Sequence, residues 1–344
     1  MVNDIIWLRY YIKNYLVRYL KYKMGQMNKA FGWDLSLHSE KKMDIPGNIA
    51  GKKHLDIDQV NQVIAEAIRS GEPFWAGRYG GMEMGMIASV LEERHFGKSG
   101  EKRACMNGLC NNAGFFPNDV KLADQFADLM LACCREVDLL GTWDGLFMED
   151  YVIREFMPDS RVTWINFLEP WQTFFLGGKE KKPWSGALSG KKVLVIHPFT
   201  ETIRHQYQNK REKLFTDIYG KDEILPEFTL LTLKAVQTQA GAVDSRFKDW
   251  FEALQWMTEE AAGIDFDVAI IGCGAYGFPL AAEVKKMGKA AIHLGGATQL
   301  MFGIRGKRWD GYDRMETLYN ESWVRPSEDE RIDNLDMIEN GCYW

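Results

Sequence analysis

The sequence predicts an α/β protein, a Rossmann-like, mainly parallel sheet flanked by helices and preceded by an amphipathic N-terminal helix. Three observations carry this expectation. Short apolar runs such as Lys192–His197 and Val268–Ile271 alternate with stretches of helical spacing. Glycine clusters close several of those runs, as tight βα turns require. The chain is also long enough, at 344 residues with 46% hydrophobic and 26% charged side chains, to bury a substantial core. A net charge of −6 argues against nucleic acid as the main partner. The six cysteines (Cys105, Cys110, Cys133, Cys134, Cys273 and Cys342) form no C-x-x-C pair, so reduced thiols are expected and zinc spacing is absent.

Taken in order, the chain divides into a basic extension (1–50), an N-terminal α/β half (51–178), a C-terminal Rossmann-like half (190–310) and an acidic tail (311–344). Residues 1–30 carry six basic side chains against one acid, Asp4. Ile5, Leu8, Ile12, Tyr15, Leu16 and Tyr19 recur there at helical spacing. Charges interrupt the stretch too often for a spanning helix, and a basic aromatic helix suits an anionic membrane surface or a docking site on protein. Next come a helix over 57–68, broken at Gly71-Glu72-Pro73, a strand over 73–77, helices over 84–91 and 120–134, and a strand over 137–141. The Gly, Lys, Pro and Ser content of 177–190 marks it as the best internal linker. Strands over 192–197 and 228–233 and a helix over 247–262 follow. The tail holds nine acids and three basic residues and is expected to be solvated and partly helical, with Trp323, Tyr343 and Trp344 hinting that it packs back.

Residues 267–310 are the most informative. An apolar run enters Gly272-Cys273-Gly274-Ala275-Tyr276-Gly277, a helix follows over 278–287, and a second apolar run ends at Gly295-Gly296. Gly272, Gly274 and Gly277 match G-x-G-x-x-G at a strand-to-helix turn, where free N–H groups and the helix dipole favour an anion. An adenosine ribose normally meets an acid about 20 residues later. Here that region reads Ala291-Ile292-His293-Leu294-Gly295-Gly296, without a carboxylate, which disfavours NAD. The pair Gly295-Gly296, with Ala297, Thr298 and Gln299, is expected to lie beside the first turn and form a ligand crevice. On this reading Gly274→Val blocks phosphate and spares the fold.

Three further loops carry chemistry. Arg78-Tyr79-Gly80-Gly81-Met82-Glu83 gathers a guanidinium, permissive glycines and a carboxylate at one turn, a combination suited to an oxyanion or to a local Arg–Glu pair. Thr142-Trp143-Asp144-Gly145 sets an acid beside an aromatic platform. His197-Pro198-Phe199-Thr200-Glu201-Thr202 leads into a helix bearing Arg204, with Thr200 or Thr202 as its cap, His197 and Glu201 as proton-transfer candidates and Arg204 as a phosphate contact. No G-x-S-x-G, Walker A or H-E-x-x-H pattern occurs.

Arg78-Tyr79-Gly80-Gly81-Met82-Glu83 resembles the R-F-G-D-G-E segment of bacterial glycosyltransferases of the GT-D fold. The stretch GCGAYGFPLAAEVKKMGKAAIHLGGATQLMFGIRGKRWD is similar to the carboxyl-terminal part of that family, whose members work in surface-glycan assembly. The resemblance extends over 57–310. It implies a glycosyltransferase that moves a sugar from a nucleotide-sugar donor, a UDP-sugar, to a glycan or lipid-linked acceptor; a cytoplasmic location is expected, and the basic helix of residues 1–30, outside the resemblance, adds a peripheral place at the inner face of a membrane as an open alternative. Under the resemblance, Arg78, Glu83, Asp144 and Glu201 are the catalytic candidates. Gly80, Gly81, His197, Arg204, Gly272, Gly274, Tyr276, Gly277, His293, Gly295, Gly296 and Gln299 are the donor-binding candidates. Gly81 stands where the family's Asp-x-Glu metal motif has its aspartate, so no tightly bound metal is expected and the place of Mn²⁺ or Mg²⁺ is open. A non-catalytic nucleotide-sugar or polysaccharide-binding protein is the alternative, with an NAD-dependent oxidoreductase third.

Overall fold

The computed structural model describes residues 5, 7–9, 11–13, 15–16, 48–97, 100–143, 146–176, 182–215, 224–334, 337–338 and 341–344. Nine strands form one sheet: β1 (Asn48–Ile49), β2 (Lys52–Leu55), β3 (Phe74–Gly77), β4 (Leu139–Thr142), β5 (Arg161–Trp164), β6 (Lys192–His197), β7 (Thr229–Lys234), β8 (Val268–Ile271) and β9 (Ala290–His293). Their spatial order is β1-β2-β5-β4-β3-β9-β8-β6-β7. Neighbours are parallel throughout except the short β1–β2 pair at one edge. The two halves of the chain therefore share a sheet, joined where β3 pairs with β9.

The helices between strands are α1 (Ile57–Ser70), α2 (Gly81–Phe96), α3 (Lys102–Ala113), α4 (Ala123–Cys134), α5 (Glu149–Phe156), α6 (Gln172–Leu176), α7 (Thr200–Lys210), α8 (Trp250–Ala262) and α9 (Gly277–Lys286), and α10 (Thr298–Met301) and α11 (Asp313–Glu316) follow the last strand. Sequence chemistry accounts for several of their ends. Asp56 and Gln59 form a reciprocal capping box at the start of α1, and Gly71 closes it in the left-handed conformation at φ 72°. Asp249 caps α8 by accepting from the N–H groups of Phe251 and Glu252.

Because a buried parallel strand sends alternate side chains to opposite faces, the core has two layers. Ala269 and Ile271 meet α2, α4, α8 and α9 on one face, whereas Val268 and Ile270 meet α1, α7, α10 and the C-terminal segment on the other. The register then positions the loops. Gly77 pairs with His293, His293 with Ile271 and Ile271 with Ile196, so four strands end at one level and their loops emerge side by side.

Two expectations need correction. The second part of the supposed linker is packed structure, because Trp184 is fully buried, donates its ring N–H to Leu168 O (2.8 Å) and takes a backbone bond from its own N–H to Asn61 Oδ1 (2.8 Å). Residues 177–181 lie outside the described set. The acidic tail is no free extension either: most of its acids stay exposed, but Met315, Leu318, Trp323, Ile338, Cys342 and Trp344 are buried against the body, as its closing aromatic residues hinted. Composition hid this because the acids outnumber the few large apolar residues that do the anchoring.

Candidate functional site

The loops after β8 and β9 pack directly on each other. A Cβ added at Gly272 would fall 2.6 Å from Gly295 O and 2.5 Å from Thr298 Oγ1, so the contact between the two turns demands glycine. Gly277 has the same role against His293, whose ring atom Cε1 would lie 2.1 Å from an added Cβ. Gly274 adopts φ +58°, and a side chain there would meet Ala113 O at 2.6 Å. The expectation that Gly274→Val spares the fold is therefore corrected: the residue is held by backbone conformation and by contact with the end of α3.

Between these turns and the loop after β6 lies a small, half-open cleft with a cavity volume of about 60 Å³. His197, Pro198, Phe199, Gly272, Cys273 and Gly274 line its floor, joined by Tyr276, Gly296 and Gln299. β6 is flanked by β7 on one side and β8 on the other, so this is a point where the chain's path across the sheet reverses, the usual ligand position in open α/β sheets. No side chain caps the turns that begin at Cys273 and Leu294. Residues that the sequence did not point to complete the walls: Ala113-Gly114, Val236 to Gln239, and Tyr343-Trp344 from the tail. Gly296 lies so near Tyr343 that an added Cβ would come within 2.4 Å of its ring.

The arginine turn lies beside this cleft. Arg78 leaves β3 and runs along Gly295, where an added Cβ would be 3.3 Å from its Nε. Its guanidinium faces Glu169 at 3.7 Å, the ring of Trp143 at 5.9 Å, and lies within electrostatic reach of Arg308 and Tyr343. The Arg78–Glu169 distance exceeds a hydrogen bond, and among the described residues the guanidinium makes none. Burial pulls the Arg78 pKa down, with Glu169 opposing the shift, and burial pushes Glu169 up. The turn itself is rigid. Tyr79 is buried with its hydroxyl donating to Glu149 (3.2 Å), while the Trp143 ring N–H donates to Tyr79 O (2.7 Å) and its backbone N–H to Glu149 Oε1 (2.9 Å).

Glu83 is buried and folds back over Gly80, where an added Cβ would lie 2.2 Å from its Oε2. Burial raises its pKa, and the N–H groups of Gly80 and of Glu83 itself oppose the rise. It thus works as the helix-start acid of α2, and the ion pair of the turn joins Arg78 to Glu169, not to Glu83. Among the described residues no group of three His, Cys, Asp or Glu side chains is placed to hold a metal ion.

Both histidines are neutral near pH 7. Burial lowers His197 to about 3, and its Nδ1 accepts from Phe199 N–H (3.0 Å), which leaves the proton on Nε2. Burial lowers His293 to about 4, where it sits under Gly277 with Nδ1 donating to Ile271 O (3.1 Å). Burial also pushes the Cys273 thiol far up, consistent with a packing residue.

Two comparisons find nothing: no protein-family model and no curated protein matches the chain. One solved structure does. A selenomethionine-substituted structure of the domain of unknown function 1792 aligns with 82% of this chain and 93% of its own, at 12% identity and a TM-score of 0.39.

The remaining sequence candidates fall elsewhere. Glu201 and Arg204 pair with each other, and Arg204 also donates to Thr232 Oγ1 (2.9 Å), outside the residues lining the cleft. Neither Thr200 nor Thr202 caps α7. That end is held by Glu330 of the tail, which accepts from Glu201 N–H (2.7 Å), Thr202 N–H (3.2 Å) and the Thr202 hydroxyl. Asp144 lies outside the described residues. Gly81 begins α2 and borders a separate groove along that helix. Glu169 was missed because it lies far from the glycine turns in sequence, and Arg308 because nothing local marks it, although it stands only twelve residues after Gly296.

Proposed function

We propose that the chain is a glycosyltransferase of the GT-D type that binds a nucleotide-sugar donor across Gly272–Gly277 and Gly295–Gln299, with the donor diphosphate against Arg78. One observation carries this reading: a largely buried arginine that makes no hydrogen bond among the described residues lies against a glycine turn at the carboxyl edge of a parallel sheet. The guanidinium is ion-paired with Glu169 at 3.7 Å but outside hydrogen-bond distance of it, so its planar fork of N–H donors suits two phosphate oxygens. In a site of reduced polarity the same charge favours departure of the nucleoside diphosphate, because negative charge grows on the leaving group as the glycosidic bond breaks. His197, protonated on Nε2, offers a further neutral donor from the cleft floor.

The acceptor hydroxyl is taken to be a glycan or lipid-linked sugar, and an inverting reaction would need a base. Glu83 folds over the start of α2, Glu201 pairs with Arg204, and Glu169 faces Arg78 and accepts from Gln172 Nε2 (2.9 Å), so Asp144 is the candidate carboxylate left to test. The scarcity of uncommitted carboxylates also supports the second reading, a nucleotide-sugar-binding protein without transfer activity. Thermal shift with UDP-glucose, UDP-galactose, UDP-N-acetylglucosamine and NAD separates the classes. Stabilisation by a UDP-sugar and not by NAD is the expected result, and release of UDP from that donor identifies a transferase. Stabilisation by NAD alone would contradict both readings.

A further inference from the structure

The N-terminal helical residues have two faces. Trp7 is buried, stacked on His95 with ring centroids 4.1 Å apart, and Tyr11 packs edge-on against Phe96 and Phe147 while its hydroxyl donates to Glu92 (2.6 Å). This face fixes the segment to the far end of α2. Away from it, Ile5, Leu8, Ile12 and Leu16 are 69%, 43%, 50% and 53% exposed, while the exposed Tyr15 ring stacks on Tyr11 at 6.2 Å. At about 100° per residue these four aliphatic side chains fall within an arc of about 80°. Arg9 and Lys13 border the same arc on one side, Arg9 exposed and Lys13 with its ammonium donating to Asp150 Oδ2 (2.9 Å).

We propose that this outward stripe docks the protein on an anionic lipid surface. A globular protein rarely leaves a continuous row of large aliphatic side chains in water without a partner. The local charge chooses the partner. Six basic residues against one acid within residues 1–30 attract anionic headgroups. Two copies meeting stripe to stripe would instead bring like charges together. Trp7 and Tyr11 bind the segment to the body, so docking would hold the whole α/β domain at the surface. The same segment supplies Tyr11 and Tyr15 to the groove that runs along α2 to Gly81, next to the arginine turn. The inference does not depend on the donor reading, because vesicle binding and nucleotide-sugar binding are measured separately.

The test is flotation of the full-length protein with vesicles of phosphatidylcholine alone or mixed with phosphatidylserine. The wild type should float with the mixed vesicles, less so at high salt, and should not float with phosphatidylcholine alone. The double variant Leu8→Glu/Ile12→Glu changes only exposed positions and should bind at least tenfold more weakly with an unchanged melting temperature. Trp7→Ala loosens the segment from the body but keeps the stripe, and should still float. Wild-type protein that ignores the mixed vesicles, or a double variant that binds them equally, would overturn the proposal. So would a wild-type dimer that the double variant converts to monomer in light scattering, because the stripe would then be an interface between copies.

Discussion

Gly274 and Gly81 look alike in the sequence, each a glycine in a loop after a strand, yet the structure gives them opposite tolerances. A left-handed residue other than glycine costs about 1–2 kcal/mol, and at Gly274 the Ala113 carbonyl adds a clash. Gly274→Ala should therefore lower the melting temperature, whether or not ligand is present. At Gly81 an added Cβ meets only Leu146 Cδ2, at 3.6 Å, so Gly81→Ala should leave stability within about 0.5 kcal/mol. Equal melting temperatures for the two variants would contradict this account. His197 and His293 make a second residue-scale case. Their folded pKa values, about 3 and about 4, lie below the unfolded value near 6.5. The unfolded chain thus takes up protons first, and the histidines' share of stability, complete above about pH 6.5, is lost as pH falls towards the folded values. The loss is about 1.4 kcal/mol per pH unit for each group. His197→Asn keeps an acceptor for Phe199 N–H and should flatten the fall in melting temperature between pH 6.5 and 5, which a pH series of thermal melts reads directly.

Among the elements, α7 shows most clearly how the tail is held. Its first N–H groups are satisfied by Glu330, a residue about 130 positions away, and Thr202 in turn accepts from Ser327 N–H (2.9 Å). Hydrogen bonds to a buried charge are worth about 1.5–3 kcal/mol, so Glu330→Ala should destabilise by about 2 kcal/mol and expose the tail to limited proteolysis. Unchanged protease resistance would argue that the apolar anchors alone hold it. This contact also shows where sequence reading stops. The β8–α9–β9 unit was legible because all its signals are local: apolar runs of strand length, glycine turns and helical spacing between them. The strands β2 and β5 were not, since their sequences, Lys52-Lys53-His54-Leu55 and Arg161-Val162-Thr163-Trp164, mix charged and polar residues into a partly buried edge and show no apolar run. The helix Lys102–Ala113 escaped although Met106, Leu109, Cys110 and Ala113 recur at helical spacing, because Asn107, Gly108, Asn111 and Asn112 are weak helix formers.

Across the whole molecule, the register that ends β3, β9, β8 and β6 at one level brings the arginine turn and the glycine turns together. The sequence showed the two turns separately, with no local signal that they would meet. It also grouped Glu201 and Arg204 with the site, whereas the helix carrying them turns that pair away from the cleft lining. The wall formed by Tyr343 and Trp344 depends on the tail's return across the sheet edge, which closing aromatic residues only hinted at. The central claim is that Arg78 and the glycine turns hold the diphosphate of a nucleotide sugar. Its most direct test is titration calorimetry of UDP-glucose and UDP against wild type, Arg78→Lys and Arg78→Ala, with folding checked by circular dichroism. The account predicts measurable binding by the wild type, a loss of at least tenfold in Arg78→Ala, and only partial recovery in Arg78→Lys, which restores charge without the fork. Equal affinity in all three folded proteins would contradict it.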